Sequence, residues 1–418
     1  MNTKCLMIGL VVAIFSSPAP AQNSLTGALS LRDAMEATLA RHPRLRSFPF
    51  RAESLAGERD LANLRPAYQV QASLEDALGT GDVRDFTGAE ATFQLSNIVE
   101  LGGKRPARVG VVNRRLDMLD AEQRVVELDL LIEVVRRYIE VASAQETLAL
   151  QAQATALAEN IILILQPLVE AGQSPQLEID RANAALRRAE IAEASAEAML
   201  ESARIRLSNM WSSNSPQFDS VDAILQAVGT ATPIEPLLIT LESNPDIEFL
   251  AAESRLREAE VVLAESRRRA SVQWTVGIRH LKQLDDTGLT FGVSIPLFNE
   301  SRASGAIRVA QANTQEVEAR RVTALNAIEG EIRSLHRQLE QNIVAVDTLA
   351  QEVIPTLENV QQQIQSAYSA GNYSYLDLIS VQQEYLDAQL ALINSASGVH
   401  ILRAEIERLS GQPLTGPQ

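Results

Sequence analysis

Polar and apolar residues along this chain follow two rhythms, and the switch between them happens twice. Tyr68, Val70, Ala72 and Leu74 alternate with Gln69, Gln71, Ser73 and Glu75. After the turn-rich stretch 79–85, Ala89, Ala91, Phe93 and Leu95 alternate with Glu90, Thr92, Gln94 and Ser96. Period two predicts a β-hairpin, about 67–97, with one apolar face. The period then lengthens. Leu116, Leu119, Val126, Leu130, Val134, Val141 and Leu148 recur at steps of three, four and seven, as in a coiled coil. Little between Arg105 and Glu170 breaks a helix, apart from Gly110 near its start and Pro167 near its end. At ~1.5 Å per residue that helix is on the order of 100 Å long, several-fold longer than ordinary globular helices. The stretch 171–175 reverses the chain, with Gly172 suited to a left-handed cap. An alanine-rich helix, Leu177–Met210, returns.

The same order then repeats. A helix at 29–64, which Ser30 is suited to cap, breaks at His42-Pro43; its counterpart at 237–269 breaks at Asn244-Pro245. A second hairpin spans 271–296, and a second long helical hairpin spans 302–409. At an offset of 199 (Gly172 to Gly371), Leu177 meets Leu376, Glu178 meets Asp377 and Arg204 meets Arg403. A period this long is a tandem duplication and not a solenoid. The repeats are 22–211 and 237–411, with the long helical hairpin of the first at 105–210, a linker rich in Ser, Asn, Pro and Gly at 212–236, and a tail at 412–418.

Composition narrows the class. Hydrophobic residues make up 46% of the chain but aromatics only 4%, which suits long helices better than a compact enzyme core. A net charge of −16 excludes the basic footprint of a nucleic-acid binder. Residues 1–21 read as a signal peptide: Lys4, an apolar run Cys5–Phe15, and Ala19-Pro20-Ala21 before Gln22. Cys5 is the single cysteine, so the processed chain has no disulfide and no thiolate metal site. His42, His280, His336 and His400 are scattered without metal-ligand spacing. The GGKR at 102–105 lacks the spacing of a phosphate loop. No nucleophile–base set emerges, so neither an enzyme nor a cofactor site is expected.

The strands set a problem that one chain does not solve. Strands of about ten residues with one apolar face suit a tilted membrane-barrel strand. Val70, Ala72, Phe93, Val272, Trp274, Phe291 and Val293 are expected on the lipid side. Four strands cannot close in lipid, where open edges are not tolerated. Two chains would supply about eight strands and a filled barrel, and three about twelve with room for a passage.

The chain resembles the TolC-like outer-membrane efflux family over about 25–412. The resemblance rests on the paired hairpins, the two very long helices, the two AG-containing tips at 171–180 and 370–379, and the exits LSNIVELGGKR (95–105) and SIPLFNESRASGAI (294–307). These exits are most like the heavy-metal (cobalt–zinc–cadmium) branch. The resemblance implies a mainly α fold with a β-barrel part: a homotrimer whose twelve-stranded outer-membrane barrel stands on a periplasmic α-helical tunnel. It implies an outer membrane of a Gram-negative bacterium, a periplasmic adaptor (membrane-fusion) protein, and an inner-membrane pump of the resistance-nodulation-division type. The expected function is passive conduction of metal cations or small toxic compounds. A type I protein secretion duct is the alternative, and a soluble periplasmic coiled-coil scaffold leaves the hairpins unexplained.

The resemblance also assigns roles at the tips. The family closes its tunnel with aspartate rings and a tyrosine-centred latch. Asp377 falls on the first acidic position, Ser380 replaces a second aspartate, Tyr368 matches the latch tyrosine, and Tyr373 stands where some members have arginine. Glu178 and Asp180 add carboxylates on the first tip. As a plain helix-start residue, Asp377 would serve the dipole instead. The turns Gly172–Leu177 and Gly371–Leu376 are expected to dock the adaptor, through Gly172, Ser174, Leu177, Gly371, Tyr373 and Leu376, with Ser174 and Tyr373 exposed.

Overall fold

The computed structural model describes residues 27–369 and 372–412. The expected signal peptide and most of the tail lie outside the described residues. A short strand β1 (Gly27–Leu29) leads into α1 (Leu31–Arg41), α2 (Pro43–Arg46) and α3 (Phe48–Asn63). The Ser30 hydroxyl accepts the amide of Asp33, as a cap should, and the break falls at His42. Then come β2 (Gln69–Glu75) and β3 (Glu90–Val99), the helix α4 (Lys104–Glu170) of 67 residues, and its return α5 (Gln176–Ser208). The second half holds β4 (Phe218–Val221), α6 (Ile234–Ile239), α7 (Pro245–Ser266), β5 (Val272–Leu281) and β6 (Asp286–Ser294). It ends with α8 (Asn299–Thr348), α9 (Ile354–Ser369) and α10 (Tyr375–Ser410).

The two hairpins join edge to edge in one antiparallel sheet of order β2-β3-β5-β6. Register puts Val70, Leu95, Val276 and Phe291 in one row, and Ala72, Phe93, Ile278 and Leu289 in the next. Residues directly opposite share a face, so this face is apolar along both rows, with Asn97, His280 and Thr287 its polar members nearer the ends. It carries all seven residues expected toward lipid. It is also bare: Val70 is 79% exposed, Phe291 78% and Leu289 85%. The other face is polar, with Gln71, Gln94, Gly277 and Thr290 in one row and Ser73, Thr92, Arg279 and Gly288 in another. Gly277 has no room for a side chain, since a Cβ would fall on the Phe93 carbonyl oxygen. Strands β2 and β6 keep open edges.

The helices form a wall one layer thick. Near the sheet, α4 packs on α3 and α7, and α7 packs on α8; further away α4 packs on α5 and α10, and α10 on α8 and α9. The main core lies midway and includes Tyr138, Ile139, Phe218, Ile332 and Val399. Here the linker differs from the expectation of a plain connection. Its strand β4 pairs in parallel with β1, and Leu225 and Val228 are buried. The duplicated arginines explain why: Arg204 donates to the Phe218 carbonyl and Arg403 to that of Val228. His400 Nε2 donates to Leu225 O at 2.9 Å, and His336 Nε2 to Thr232 O at 2.8 Å. Tyr138 reaches both Leu29 O (2.9 Å) and Asp222 O (2.6 Å). Burial pushes the Tyr138 hydroxyl up to about 12.

A second difference concerns the long helix expected over 302–369. A π-turn, Leu349–Val353, divides it into α8 and α9. Pro355 follows immediately. It has no N–H to give, and its ring clashes with the carbonyl four residues back. A wider turn that bonds Ile354 N–H to Leu349 O relieves this without ending the rod.

Candidate functional site

The two reversals lie side by side at the end of the helical wall farthest from the sheet. The first is closed by backbone chemistry. The amide of Gly172 donates to Val169 O (2.9 Å) and that of Gln173 to Leu168 O (2.8 Å). This pair of bonds is the Schellman arrangement, and it needs Gly172 at φ +71. The second reversal keeps the matching backbone bond, Asn372 N–H to Ala367 O at 3.0 Å, and adds a side-chain cap. Ser374 Oγ accepts the Asp377 amide (3.3 Å), and Asp377 Oδ2 accepts both the Ser374 amide (3.0 Å) and its hydroxyl (2.6 Å). Those bonds hold the Asp377 carboxyl below its ordinary range. Both bonds to the carboxylate use Oδ2, so the other oxygen of this exposed group stays with solvent.

Between the tips lies a small core of Ile161, Leu165, Ala182, Ile364, Tyr368, Tyr375 and Leu378. The Tyr368 hydroxyl sits at its rim and donates to Glu178 Oε2 at 3.2 Å. The same carboxylate oxygen accepts the Ser174 hydroxyl. Burial, then the Glu178 charge, pushes the Tyr368 hydroxyl up to about 12, so it remains a donor across the physiological range. A tyrosine of the second repeat is thus bonded to a glutamate of the first. Nearby, a cavity of about 350 Å³ runs between α4, α5 and α10, lined among others by Ala154, Ala185, Arg188, Gln382 and Asp387.

The candidate residues fall into two sets. Tyr368 and Glu178 are brought together, with Asp377 on the neighbouring turn. Asp180 is exposed and apart from that network. Leu177 (59% exposed) and Leu376 (61%) face outward at matched positions of the two repeats, and Tyr373 (55%), the counterpart of Ser174, joins them on the second tip. Ser174 is a correction: it was expected to be exposed, but it is half-buried and its hydroxyl is spent on Glu178. Gly371 lies outside the described residues. Tyr375, buried and pushed up by desolvation, was missed. Its signal was the spacing Tyr375, Leu378, Gln382, which marks one helix face.

None of the histidines assembles a metal site. His42 accepts the Arg44 amide at 3.2 Å, and His280 pairs with Thr287 across the β5–β6 hairpin. Among the described residues no cluster of His, Cys, Asp or Glu suits a metal ion.

The described residues thus form a sheet with an exposed apolar face and open edges, set on long helical rods that end in paired turns. Comparison with known proteins gives the class. Residues 34–213 match the outer membrane efflux protein family. It is 26% identical over 326 residues to the cobalt-zinc-cadmium resistance protein CzcC of Cupriavidus metallidurans, covering 77% of each. Among solved structures it is similar to CusC (TM-score 0.74, 15% identity, 92% of each chain). It is equally similar to the outer-membrane channel OprN (TM-score 0.74, 18% identity, 92% of this chain and 90% of that one).

Proposed function

We propose that this chain is the outer-membrane duct of a tripartite efflux assembly and passes heavy-metal cations outward from an inner-membrane pump through a periplasmic adaptor. The carrying observation is the four-stranded sheet, whose lipid-type face is bare and whose two edges are unpaired. Three copies would close it as a twelve-stranded barrel, with the polar face turned to the passage. The name of the cobalt-zinc-cadmium resistance relative points to the cargo. In this reading the rods continue the passage across the periplasm, and the tips form its inner end. Tyr368, Glu178 and Asp377 contribute to closure there. Tyr373, Leu177 and Leu376 meet the adaptor.

The test is metal handling in the native host. Deleting the gene is expected to raise cellular zinc, cobalt or cadmium and to sensitise the strain. Complementation with the intact chain is expected to restore both. Unchanged metal content and tolerance in the deletion strain would overturn the cargo assignment.

A further inference from the structure

We propose that the neck of the sheet binds anionic phospholipid of the periplasmic leaflet through the exposed arginines Arg65, Arg267, Arg268, Arg269 and Arg302. This rests on the outer-membrane barrel reading above. Charge is segregated along the sheet of a chain whose net charge is −16. At the end away from the helices Glu75, Asp76, Asp85, Glu90, Asp285 and Asp286 outnumber the exposed Arg84 and Lys282, with Arg279 already committed to Glu90 at 3.1 Å. At the helix end the balance reverses. There Arg108 is neutralised by Glu100 at 2.6 Å, and Lys104 Nζ is held by Ser271 Oγ at 2.7 Å. Among the described residues the five proposed arginines have no carboxylate within 4.0 Å, and each is exposed.

The fold gathers them at one level. Gly102, at φ +78, lets the chain entering α4 lie on the end of α7; a Cβ there would strike Arg269 Cγ at 2.7 Å and Ser266 O at 2.9 Å. Beside them runs an apolar collar. Leu297 is 68% exposed and Phe298 80%. Phe298 holds a left-handed backbone (φ +61), which is uncommon for a residue with a side chain. Tyr68 and Trp274 meet edge to face on the lipid-type face, with ring centres 6.3 Å apart. Aromatic rings favour the level of lipid headgroups, and arginine stems lie along apolar surface while their heads reach out. Cations turned toward anionic headgroups complete that arrangement. The same five charges turned into a passage for metal cations would oppose conduction.

The experiment uses the purified full chain in vesicles of phosphatidylethanolamine alone or with phosphatidylglycerol, and reads the lipid retained by native mass spectrometry. Phosphatidylglycerol is expected to be enriched over its bulk share by roughly fivefold per engaged cation, and high salt is expected to reduce this. The variant Arg267→Gln/Arg268→Gln/Arg269→Gln is expected to lose the enrichment. Arg267→Lys/Arg268→Lys/Arg269→Lys is expected to keep it, as is the distant control Arg187→Gln. Equal retention of both lipids by an inserted protein, or enrichment that survives the glutamine variant, overturns the lipid site and leaves the duct standing. Failure to insert in either vesicle overturns both.

Discussion

The two tips descend from one sequence, yet each starts its return helix by different means. At the first, α5 opens on Pro175, which supplies no side-chain cap, and the turn relies on Gly172 and backbone bonds. At the second, α10 opens on a full capping box of Ser374 and Asp377. The first tip gives its side chains outward instead: Ser174 and Glu178 turn to Tyr368 on the other repeat. The second tip keeps its polar groups for itself and sends over one hydroxyl. Duplication supplied the rods and their turns, while the bond joining them exists only because the copies diverged.

The strongest way to break the comparison is at the sheet, where the repeats should behave alike. Phe93→Arg in the first hairpin and Phe291→Arg in the second each put a charge on the bare face. Each is expected to cost roughly 2–4 kcal/mol if near mid-bilayer. Folding titrations in lipid vesicles measure this. A penalty in one hairpin only would mean that the other is not in lipid.

At the tips the repeats should differ. Ser374→Ala removes a capping box and is expected to cost about 1 kcal/mol, with faster amide exchange in the first turn of α10. Ser174→Ala caps nothing and should leave the first turn of α5 unchanged. Equal effects would erase the distinction. Tyr368→Phe removes the bond between repeats but leaves Glu178 its Ser174 partner, so about 0.5–1 kcal/mol is expected. The tighter readout is conductance in planar bilayers, which should rise if this bond helps hold the tips closed.

A pH series probes the linker clamp. Desolvation lowers the His400 pKa from 6.5, chiefly by burial and with some help from Arg403. The unfolded chain therefore binds a proton that the folded one resists, so stability is expected to fall as pH drops below about 6.5. Melting curves at pH 7 and 5 should show the loss, and His400→Gln should reduce it. The smallest stability effect is expected for Asp377→Asn, because the amide oxygen can still accept at the cap. Its readout is ion selectivity: reduced cation preference supports a role in closure, and unchanged selectivity leaves Asp377 as a cap alone.

Most of the architecture was legible because it is written in local periods. Period two exposed both hairpins and the single face that the seven apolar residues share, and the heptad spacing exposed the length of α4. What escaped was long-range. Nothing local in the linker announces that Phe218 and Leu225 enter the core, since their burial depends on Arg204 and His400 from the return helices. Tyr368 was singled out by resemblance, but its partner Glu178 is 190 residues away. Ser174 looked like a turn residue, which it is; that its hydroxyl is occupied follows only from packing. The π-turn was hidden because the helical period runs unbroken over 302–369, and the wider turn at Leu349–Val353 adds no change of residue type to mark it.

That π-turn sits in a rod that is also longer. From the left-handed cap at Gly103 to Leu177 the chain runs 74 positions, and from its counterpart Phe298 to Leu376 it runs 78. An insertion of four residues is a stutter, the increment by which a coiled coil sheds left-handed twist. One rod of each pair therefore winds out of step with the other. In a ring of three chains the six rods would no longer be equivalent but would alternate, a hexagon reduced to a triangle. An adaptor meeting that ring would face two kinds of site in turn, so a single protein fitting all six would have to tolerate both, or choose.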